Sequence, residues 1–525
     1  MTKYIRILSI FLLLFVCMGA SLSSANSLRV ENASLAEPNS TNKTINIKLD
    51  LSWQNSWRNS INHDAAWVFV KYSKDSGSNW YHATLKSSGT NPSGFSTGSG
   101  TGVEVVVPSD KKGCFIRRSL PGAGPVDVSD MEIVWDWDAD GVTLGDLVRI
   151  KVFGVEMVYV PQQAFYAGDN AASAASLKQG SSDNDPWYIQ SESAVSVQNT
   201  ASNGFYYVSG GNSGEGSTGS VFTISADFPK GYAAFYAMKY EISQGQYRDF
   251  LNVLSYAQQG SRIAAISAGN FMYTDNTQNT PQRRNGIKCQ IAPAAPDRGT
   301  YQCDLNNNGA YNESSDGEWV ACNYLSWVDL CAYADWAGLR LMTELEFEKV
   351  CRGGQGAVNG EYAWGSATLE SATTSLGSSG ASSETPNQGN CNYSACSPDG
   401  PYRCGSYADS SSTRTNAGGA YYGAMEFSGN LWERCVTIGS AAGRVFTGTH
   451  GDGALSEDGN ATNSDWPGHN GGDPGEITGA AGSGFRGGSW SDSSSYVATS
   501  GRASAALTDI NRSHSNGGRC VRTAP

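Results

Sequence analysis

The chain has 525 residues and a formal net charge of −13 at pH 7, with only 16% of its residues charged. This length exceeds that of one ordinary hydrophobic core and predicts two or more domains. The acidic balance argues against a nucleic-acid-binding protein, which needs a basic face. The 11% of aromatic residues argue against a disordered chain.

The chain begins with a pattern typical of a secretory signal peptide. Lys3 and Arg6 precede the apolar run "ILSIFLLLFVCMGA", and small residues follow it. This pattern predicts a signal peptide over residues 1–25, with a retained membrane anchor as the alternative. No later stretch is apolar enough to cross a membrane. We therefore expect a secreted or cell-surface protein with no membrane span after signal removal.

The cysteines also fit an oxidising compartment. Of the twelve cysteines, ten lie between Cys289 and Cys520, and Cys114 stands alone in the N-terminal part. Several disulfides are expected among the ten. The pairs that are close enough in sequence to staple loops are Cys289 with Cys303 and two of Cys391, Cys396 and Cys404.

Residues 27–153 are predicted to form an all-β domain. Segments such as "KTINIKLDLSW", "AAWVFVKYS" and "MEIVWDW" alternate apolar with polar residues or form short β-branched runs. Clusters of Gly, Ser, Asn and Pro separate them, and helical periodicity is missing. The pattern favours an immunoglobulin-like β-sandwich.

Helices enter the pattern only further along. A strand passes into a helix near Gln244, and a second helix is expected to end at Gly338. A third begins at Thr343, where Glu346 completes a capping box. Two long polar stretches, about 262–318 and 439–483, interrupt this part of the chain and are interpreted as insertions.

Seven sequence blocks follow one another over about 155–525. They are "MVYVPQQAFYAGD", "YEISQGQYRDFL", "NYLSWVDLCAYADWAGLRLMTELEFEKVCRGG", "EYAWG", "GAMEFSGNLWE", "FRGGSW" and "GRCVR". In this order the blocks resemble the formylglycine-generating enzyme family, also called the sulfatase-modifying-factor domain. The resemblance implies an α+β fold, a loop-rich variant of the C-type lectin fold.

The resemblance also implies an activity, and the chain departs from it. Active members oxidise a cysteine of a sulfatase to formylglycine, with a copper-binding cysteine pair located just after the "GGSW" motif. Aligned on Gly487, those two positions hold Asp492 and Val497. A carboxylate and a valine cannot replace two thiolates. The sequence therefore predicts a non-catalytic member without copper, and catalysis remains the third hypothesis.

The segment after "GGSW" is rich in hydroxyl and amide side chains between framework motifs. Such a segment is typical of a binding surface on a rigid scaffold. The pattern is similar to that of the variable proteins of diversity-generating retroelements, and an ordinary polar loop is the alternative. The predicted ligand-binding residues are Trp490 and, as exposed contacts, Asp492, Ser494, Tyr496, Thr499, Asp509, Asn511 and His514.

Calcium is the cofactor that the sequence indicates. By resemblance, Asn430 and Glu433 match the family's calcium motif, and Asn392 lies where a second site would draw its asparagine. Arg434 stands where an aromatic residue is usual. A further candidate, predicted from calcium-loop spacing, consists of Asp304, Asn306 and Asn308, with a plain polar turn as the alternative.

The favoured hypothesis is a secreted, non-catalytic protein that binds an extracellular protein or glycan through its C-terminal loops. A second hypothesis is self-assembly into a surface layer or appendage, in which the partner is another copy of the chain. The low charge and the high content of Asn, Ser and Gly fit either hypothesis.

Overall fold

The computed structural model describes most of the chain after residue 27, and the predicted signal peptide lies outside the described residues. The described part is mostly sheet with a few short helices. Over these residues, no helix combines the length and apolar character that crossing a membrane requires. The description covers 28–525 except 170–176, 181–184, 200–203, 208–220, 265, 274–277, 312, 410 and 473–474.

Ten strands make up the N-terminal part. They are β1 (Arg29–Leu35), β2 (Ile45–Arg58), β3 (Asp64–Ser73), β4 (Tyr81–His82), β5 (Gly89–Thr90), β6 (Ser99–Gly100), β7 (Val103–Val107), β8 (Cys114–Arg118), β9 (Gly122–Trp135) and β10 (Arg149–Val160). One sheet has the order β1-β2-β9-β6. Alternate residues of β2 and β9, such as Leu49 and Ile133, share one buried apolar cluster with Val68 of β3 and Val105 of β7. Strands β3 and β7 belong to a second sheet, so the two sheets pack on a common core.

The described residues of the C-terminal part include fifteen shorter strands. They are β11 (Phe165–Ala167), β12 (Leu177–Gln179), β13 (Asp185–Ile189), β14 (Val195–Gln198), β15 (Phe205–Tyr207), β16 (Phe222–Ile224), β17 (Phe235–Met238), β18 (Ile287–Ile291), β19 (Thr300–Cys303), β20 (Arg340–Leu341), β21 (Ser375–Leu376), β22 (Thr385–Pro386), β23 (Glu433–Val436), β24 (Ser483–Arg486) and β25 (Cys520–Thr523). Strands β11 to β16 form a six-stranded sheet, while β18 with β19, β21 with β22, and β23 with β24 form separate pairs.

Strand β10 joins the two parts of the chain in one sheet. It pairs along ten residues with β3, and at its end it pairs on the other side with β17, where Met157 lies opposite Met238. The sheet continues through β25 to β20 and includes nine strands in total. The boundary that the sequence places between residues 153 and 155 lies inside β10, so a shared backbone ladder connects the two predicted domains.

Five short helices lie within the part of the chain that the structure describes. They are α1 (Gln244–Leu251), α2 (Tyr256–Arg262), α3 (Trp327–Trp336), α4 (Glu344–Arg352) and α5 (Ala441–Arg444). The predicted start of α1 near Gln244 and the Thr343–Glu346 capping box of α4 are confirmed. Helix α3 ends two residues before the predicted Gly338, which follows it with a φ of +66°. That conformation favours glycine.

The two predicted insertions fold onto the rest of the molecule. In 262–318, the β18–β19 pair lies against α1, where Asn252 exchanges hydrogen bonds with the backbone of Tyr301. In 439–483, the carbonyl of Gly453 accepts a hydrogen bond from Lys71 of β3 at 2.9 Å. Both segments are therefore held by the core of the protein.

The expected disulfides are not found in the described part of the chain. All eleven cysteines there are buried free thiols. On β18 and β19, Cys289 lies opposite Tyr301 and Cys303 lies opposite Ile287, so these two cysteines are not directly opposed across the ladder. The Cys391 and Cys404 thiols donate to different backbone carbonyls. Closeness in sequence alone does not predict a disulfide, because a disulfide also needs two side chains that point at each other.

Candidate functional site

A buried ion-pair cluster lies beneath the C-terminal loops. Glu344 of α4 accepts from Arg502 at 2.6 Å and from Arg486 of β24 at 3.2 Å. Glu348, one turn further along α4, accepts from Arg486 at 2.7 Å. None of these four side chains has exposed surface. Burial alone would raise the pKa of Glu344, but Arg502 and Arg486 hold it below its usual range.

This cluster fixes the backbone of residues 489–500, which we call the first loop. Arg486 donates to the carbonyls of Thr499, at 2.7 Å, and Gly501, at 3.1 Å. Arg352 of α4 donates to the Ser500 hydroxyl at 2.9 Å. The far end of the first loop is therefore bound to α4 through charge-assisted hydrogen bonds.

Two other arginines hold residues 507–516, which we call the second loop. The buried Arg434 of β23 donates to the carbonyls of Asp509, at 2.7 Å, and Asn511, at 2.9 Å. Arg512 forms a two-pronged ion pair with Asp329, at 2.7 and 2.8 Å, at the start of α3. The second loop thus has a fixed backbone although it contains no regular secondary structure.

Trp432 connects the two loops. Its half-buried ring lies 5.8 Å from the ring of Tyr496 in the first loop, in an edge-on arrangement. Its backbone N–H donates to the carbonyl of Ser515 in the second loop at 2.9 Å. The exposed side chains of both loops therefore surround one aromatic residue, and we call this region the loop surface.

The predicted ligand-binding residues differ in how far their side chains are exposed. Ser494, Tyr496 and Asn511 are exposed, and Asp492, Asp509 and His514 are partly exposed. Trp490 and Thr499 are buried, with only 2% and 1% of their surface exposed. The prediction that Thr499 is exposed is therefore wrong, because the backbone contact with Arg486 holds this residue inside.

Trp490 acts as a support for the second loop. Its indole N–H donates to the carbonyl of His514 at 3.2 Å, and the two rings are 5.3 Å apart. The guanidinium of Arg283 lies 5.7 Å from the same indole ring. Burial, followed by the charge of Arg283, lowers the pKa of His514, so this side chain is neutral at pH 7.

Sequence reasoning missed Trp432 and Arg283 and did not assign Arg434 to this site. Trp432 lies within the quoted block "GAMEFSGNLWE" and Arg434 follows that block directly, so the unusual arginine was a visible signal. Nothing in the sequence pattern indicated Arg283, because it lies in the long polar insertion far from the loops.

A comparison with known protein families identifies one family for this part of the chain. The model described as "Sulfatase-modifying factor enzyme 1-like domain" matches residues 191–524. The chain belongs to this family. The formylglycine-generating enzyme of Bos taurus is 28% identical over 162 residues, which are 28% of this chain and 40% of that protein. The match thus spans less than half of the curated relative.

The two positions that the resemblance aligns with the family's cysteine pair have different surroundings. Asp492 accepts hydrogen bonds from the backbone and the hydroxyl of Ser489 and so closes a tight turn. Val497 is fully buried in an apolar cluster with Phe347 of α4. Gly488 has a φ of +67°, and a Cβ there would lie 2.6 Å from the Val497 side chain. Position 497 is therefore part of the core.

The cysteines of this sulfatase-modifying-factor family member are not placed for thiolate chemistry. All eleven described cysteines are buried. Burial raises the pKa of the thiols of Cys435 and Cys520, the two nearest the loops in sequence. A thiol in such surroundings stays protonated and is a poor nucleophile and metal ligand.

The predicted calcium ligands are brought together in part. Asn392 donates to the side-chain oxygen of Asn430 at 3.0 Å, and Asn430 also donates to the buried Glu241. Glu433 instead pairs with Arg519 at 2.6 Å. Asn392 and Asn430 therefore meet, whereas the carboxylate of Glu433 is already neutralised.

A small polar cavity lies beside the two asparagines. Its walls include Asn392, Asn430, Glu426 and Tyr407. The side-chain oxygens Asn392 Oδ1 and Glu426 Oε2 are buried there without a hydrogen-bond partner among the described residues. Burial raises the pKa of Glu426 to about 7, although Arg519 opposes this shift. Unpaired oxygen ligands and a carboxylate fit the needs of a calcium ion.

The cavity and the other described acidic clusters differ from transition-metal sites. Within the described ranges, no three His, Cys, Asp or Glu side chains converge in a geometry that could hold a metal ion. A calcium ion in the cavity would therefore depend on amide and backbone oxygens as well as on Glu426.

The third candidate, around Asp304, has a different arrangement. Lys288 places its ammonium group 2.7 Å from the buried carboxylate of Asp304. The backbone N–H groups of Asn308 and Gly309 also donate to this carboxylate. The side chains of Asn306 and Asn308 are exposed. A lysine already supplies the positive charge, so this geometry favours the polar turn.

Proposed function

We propose that the chain is a secreted, non-catalytic member of its family that binds an extracellular protein or glycan through the loop surface. The observation that carries this proposal is the contrast between backbone and side chains in the two loops. Buried arginines fix the backbone at Thr499, Asp509 and Asn511. The side chains of Ser494, Tyr496 and Asn511 remain exposed.

This contrast favours recognition for a physical reason. A binding surface that is already ordered loses little conformational entropy when a ligand arrives. Tyr496 offers a large ring with few rotatable bonds, and the neighbouring serine and asparagine side chains both donate and accept hydrogen bonds. Such a surface suits the hydroxyl-rich face of a glycan or the polar face of a protein.

The residues at positions 492 and 497 support the absence of catalysis. The oxidation that the bovine relative's name implies would need two accessible thiolates here, by the family resemblance. Asp492 is engaged with Ser489, and Val497 is packed in the core. We propose that no copper is bound at this position, because neither side chain is a soft ligand.

The finer fold assignment belongs to the same proposal. We assign residues 27–153 to an immunoglobulin-like β-sandwich and the remainder to a C-type-lectin-like domain. The common core of the first two sheets supports the sandwich, and the long loops between short strands support the lectin-like arrangement.

We propose calcium at the polar cavity as the structural cofactor. Asn392 and Glu426 would supply side-chain oxygens, and Asn430 would help to position them. When bound, the ion would neutralise the buried carboxyl group and hold the segments around 392 and 426 together. These segments support Trp490, since the carbonyl of Asn430 accepts from the Trp490 N–H at 2.8 Å.

The location of the protein follows from the proposed signal peptide. We propose that the mature chain acts outside the cell or at its surface. The formal charge of −13 does not suit nucleic acid as a partner. A second copy of the chain is the alternative partner. Binding to an immobilised copy of the chain distinguishes self-assembly from glycan binding.

The test uses the purified mature chain on a glycan array and against an immobilised copy of itself. Tyr496→Ala combined with Asn511→Ala removes two of the three exposed side chains, one from each loop, without touching the arginine contacts, which use backbone carbonyls. We expect the double variant to lose about tenfold or more in affinity for every glycan that the wild type binds. Binding to the immobilised copy would favour self-assembly.

The matched control is Asp127→Ala, on an exposed position of β9. This variant should bind as the wild type does. Glycan binding that survives the double substitution at 496 and 511 would place the ligand elsewhere and contradict the proposal. The absence of binding to both the array and the immobilised copy would also count against a glycan-binding or self-assembling role.

A further inference from the structure

Three buried ionisable side chains from three neighbouring strands meet where the two parts of the chain share a sheet. Asp64 begins β3, Glu156 lies in β10, and Lys239 directly follows β17. The Lys239 ammonium nitrogen lies 3.1 Å from Glu156 Oε2 and 3.7 Å from Asp64 Oδ2. All three side chains are at least 96% buried. The Lys239 ammonium group thus donates to the Glu156 carboxylate and lies in contact with the Asp64 carboxyl group.

The surroundings of this cluster are apolar and aromatic. The Lys239 nitrogen lies 5.2 Å from the ring centre of Trp57 and 5.4 Å from that of Tyr240. Trp53 is fully buried, and its indole N–H donates to Asp64. Such walls exclude water, and an amide bond formed between the amine and the carboxyl group would be protected from hydrolysis.

Three donors polarise the carboxyl group of Asp64. Oδ1 accepts from the Ser56 hydroxyl at 2.7 Å and from the Trp57 N–H at 3.1 Å, while Oδ2 accepts from the Trp53 indole at 2.9 Å. Burial raises the pKa of Asp64, although Lys239 and the hydrogen bonds oppose the shift. A protonated, polarised carboxyl group is an electrophile, and donors at Oδ1 can stabilise the negative oxygen of a tetrahedral intermediate.

From this geometry we propose that Lys239 and Asp64 form an intramolecular isopeptide bond, with Glu156 as the group that transfers the protons. The inference is independent of the proposed function. The ordinary alternative is a buried ion pair, which would leave both side chains chemically unchanged.

The atoms of the reaction balance without any oxidant or cofactor. Glu156 takes one proton from the Lys239 ammonium, and the neutral amine attacks Cγ of the protonated Asp64. The Asp64 hydroxyl then leaves as water with the proton returned by Glu156, and the nitrogen gives its second proton to Glu156. One C–N bond forms and one C–O bond breaks, and Glu156 ends protonated.

The direct test is the mass of the full mature chain, purified, reduced and denatured. We expect a mass lower than that of the sequence by one water molecule. We also expect a branched tryptic peptide that contains both Asp64 and Lys239, because trypsin does not cleave after an acylated lysine. A chain with the full sequence mass, and with Asp64 and Lys239 in separate peptides, would overturn the proposal.

Three variants separate the proposed roles. Lys239→Arg keeps the positive charge but has no amine nucleophile, and Glu156→Gln keeps the size but cannot accept the proton, so both should show the full mass of their sequences. Asp64→Asn should lose ammonia instead of water and give the same product as the wild type. A linked peptide in Glu156→Gln would overturn the role of Glu156. The peptide map of the wild type decides the central point even where a variant fails to fold.

Discussion

Arg434 donates to the backbone carbonyl of Asp509 at 2.7 Å, although 75 residues separate the two in the chain. The same guanidinium reaches the carbonyls of Asn511 and Leu325. One buried side chain from the β23 strand therefore fixes the path of the second loop and ties it to the residue before the cap of α3.

Replacing Arg434 by alanine should loosen the second loop and destabilise the whole protein. The change leaves three carbonyls without their donors, those of Leu325, Asp509 and Asn511, and we expect a loss of about 3 kcal/mol in the free energy of unfolding. Amide hydrogen exchange in residues 507–512 should become faster. Urea unfolding and exchange measured by mass spectrometry would check both effects.

The matched control for this prediction is Arg29→Ala, since Arg29 forms an exposed ion pair with Glu31. It should change the free energy of unfolding by no more than about 0.5 kcal/mol. Arg434→Lys, which keeps the charge but not the planar fork, should be intermediate. Equal exchange rates in the wild type and Arg434→Ala would show that the arginine does not hold the loop.

Glu344 should make the stability of the protein depend on pH. Its pKa in the folded state is lowered, so its contribution is fully present above its ordinary pKa of about 4.5 and is lost as the pH falls below that value. Glu344→Gln leaves Arg486 and Arg502 with less negative charge and should cost about 3 kcal/mol at pH 7. Urea unfolding at pH 7, 5 and 3 would measure this.

The pH dependence of the stability difference between the wild type and Glu344→Gln provides the control. The gap in stability between wild type and Glu344→Gln should narrow from pH 5 to pH 3, because the wild-type carboxyl group then takes up its proton. A gap that stays constant across this range would mean that the charge of Glu344 does not stabilise the cluster.

Calcium binding at the polar cavity should become tighter as the pH rises through about 7. The pKa of Glu426 is raised to about 7, so at lower pH the ion must displace a proton. We expect saturating calcium to raise the Tm by about 5 °C and the affinity to increase about tenfold between pH 6 and pH 8. Calorimetric titration with calcium chloride would measure the affinity.

Glu426→Gln should abolish the calcium effect, while Asp409→Asn, at an exposed position, should leave it unchanged. Magnesium serves as a second control, since it prefers a more regular octahedral site. A Tm that calcium does not change in the wild type would contradict calcium in this cavity.

The cysteines should be present as protected thiols. The structure contains eleven buried free cysteines in its described part, so a thiol reagent should find almost no reactive groups in the native protein. After unfolding in denaturant without reductant, all eleven should react. A lower count in the unfolded chain would reveal disulfides that the structure does not contain.

The elements that could be predicted are those with local causes. The capping box of Thr343 and Glu346 lies within four residues and was visible in the sequence. The alternating strands of the N-terminal part were visible for the same reason, because the pattern of burial repeats every two residues along one strand. The family resemblance also came from short motifs that are contiguous in the chain.

The elements that escaped prediction depend on contacts between distant residues. Nothing near Thr499 shows that Arg486 holds its carbonyl inside the protein, so the residue was expected to be exposed. Strand β10 crosses the predicted domain boundary, because its pairing with β17 on one side and β3 on the other is a property of the assembled sheet. The ion pair of Asp304 with Lys288, sixteen residues earlier in the chain, was likewise not visible in the spacing of the predicted calcium loop.

An oxidation assay tests whether the chain is a non-catalytic member of its family. The purified mature chain, supplied with copper and oxygen, is incubated with a peptide that carries the substrate cysteine of a sulfatase, and the aldehyde is captured by a hydrazide probe. The bovine formylglycine-generating enzyme serves as the positive control. We expect no aldehyde above the protein-free background, because Asp492 and Val497 supply no thiolate. Aldehyde formed by the wild-type chain in proportion to its concentration would show that the chain is catalytic.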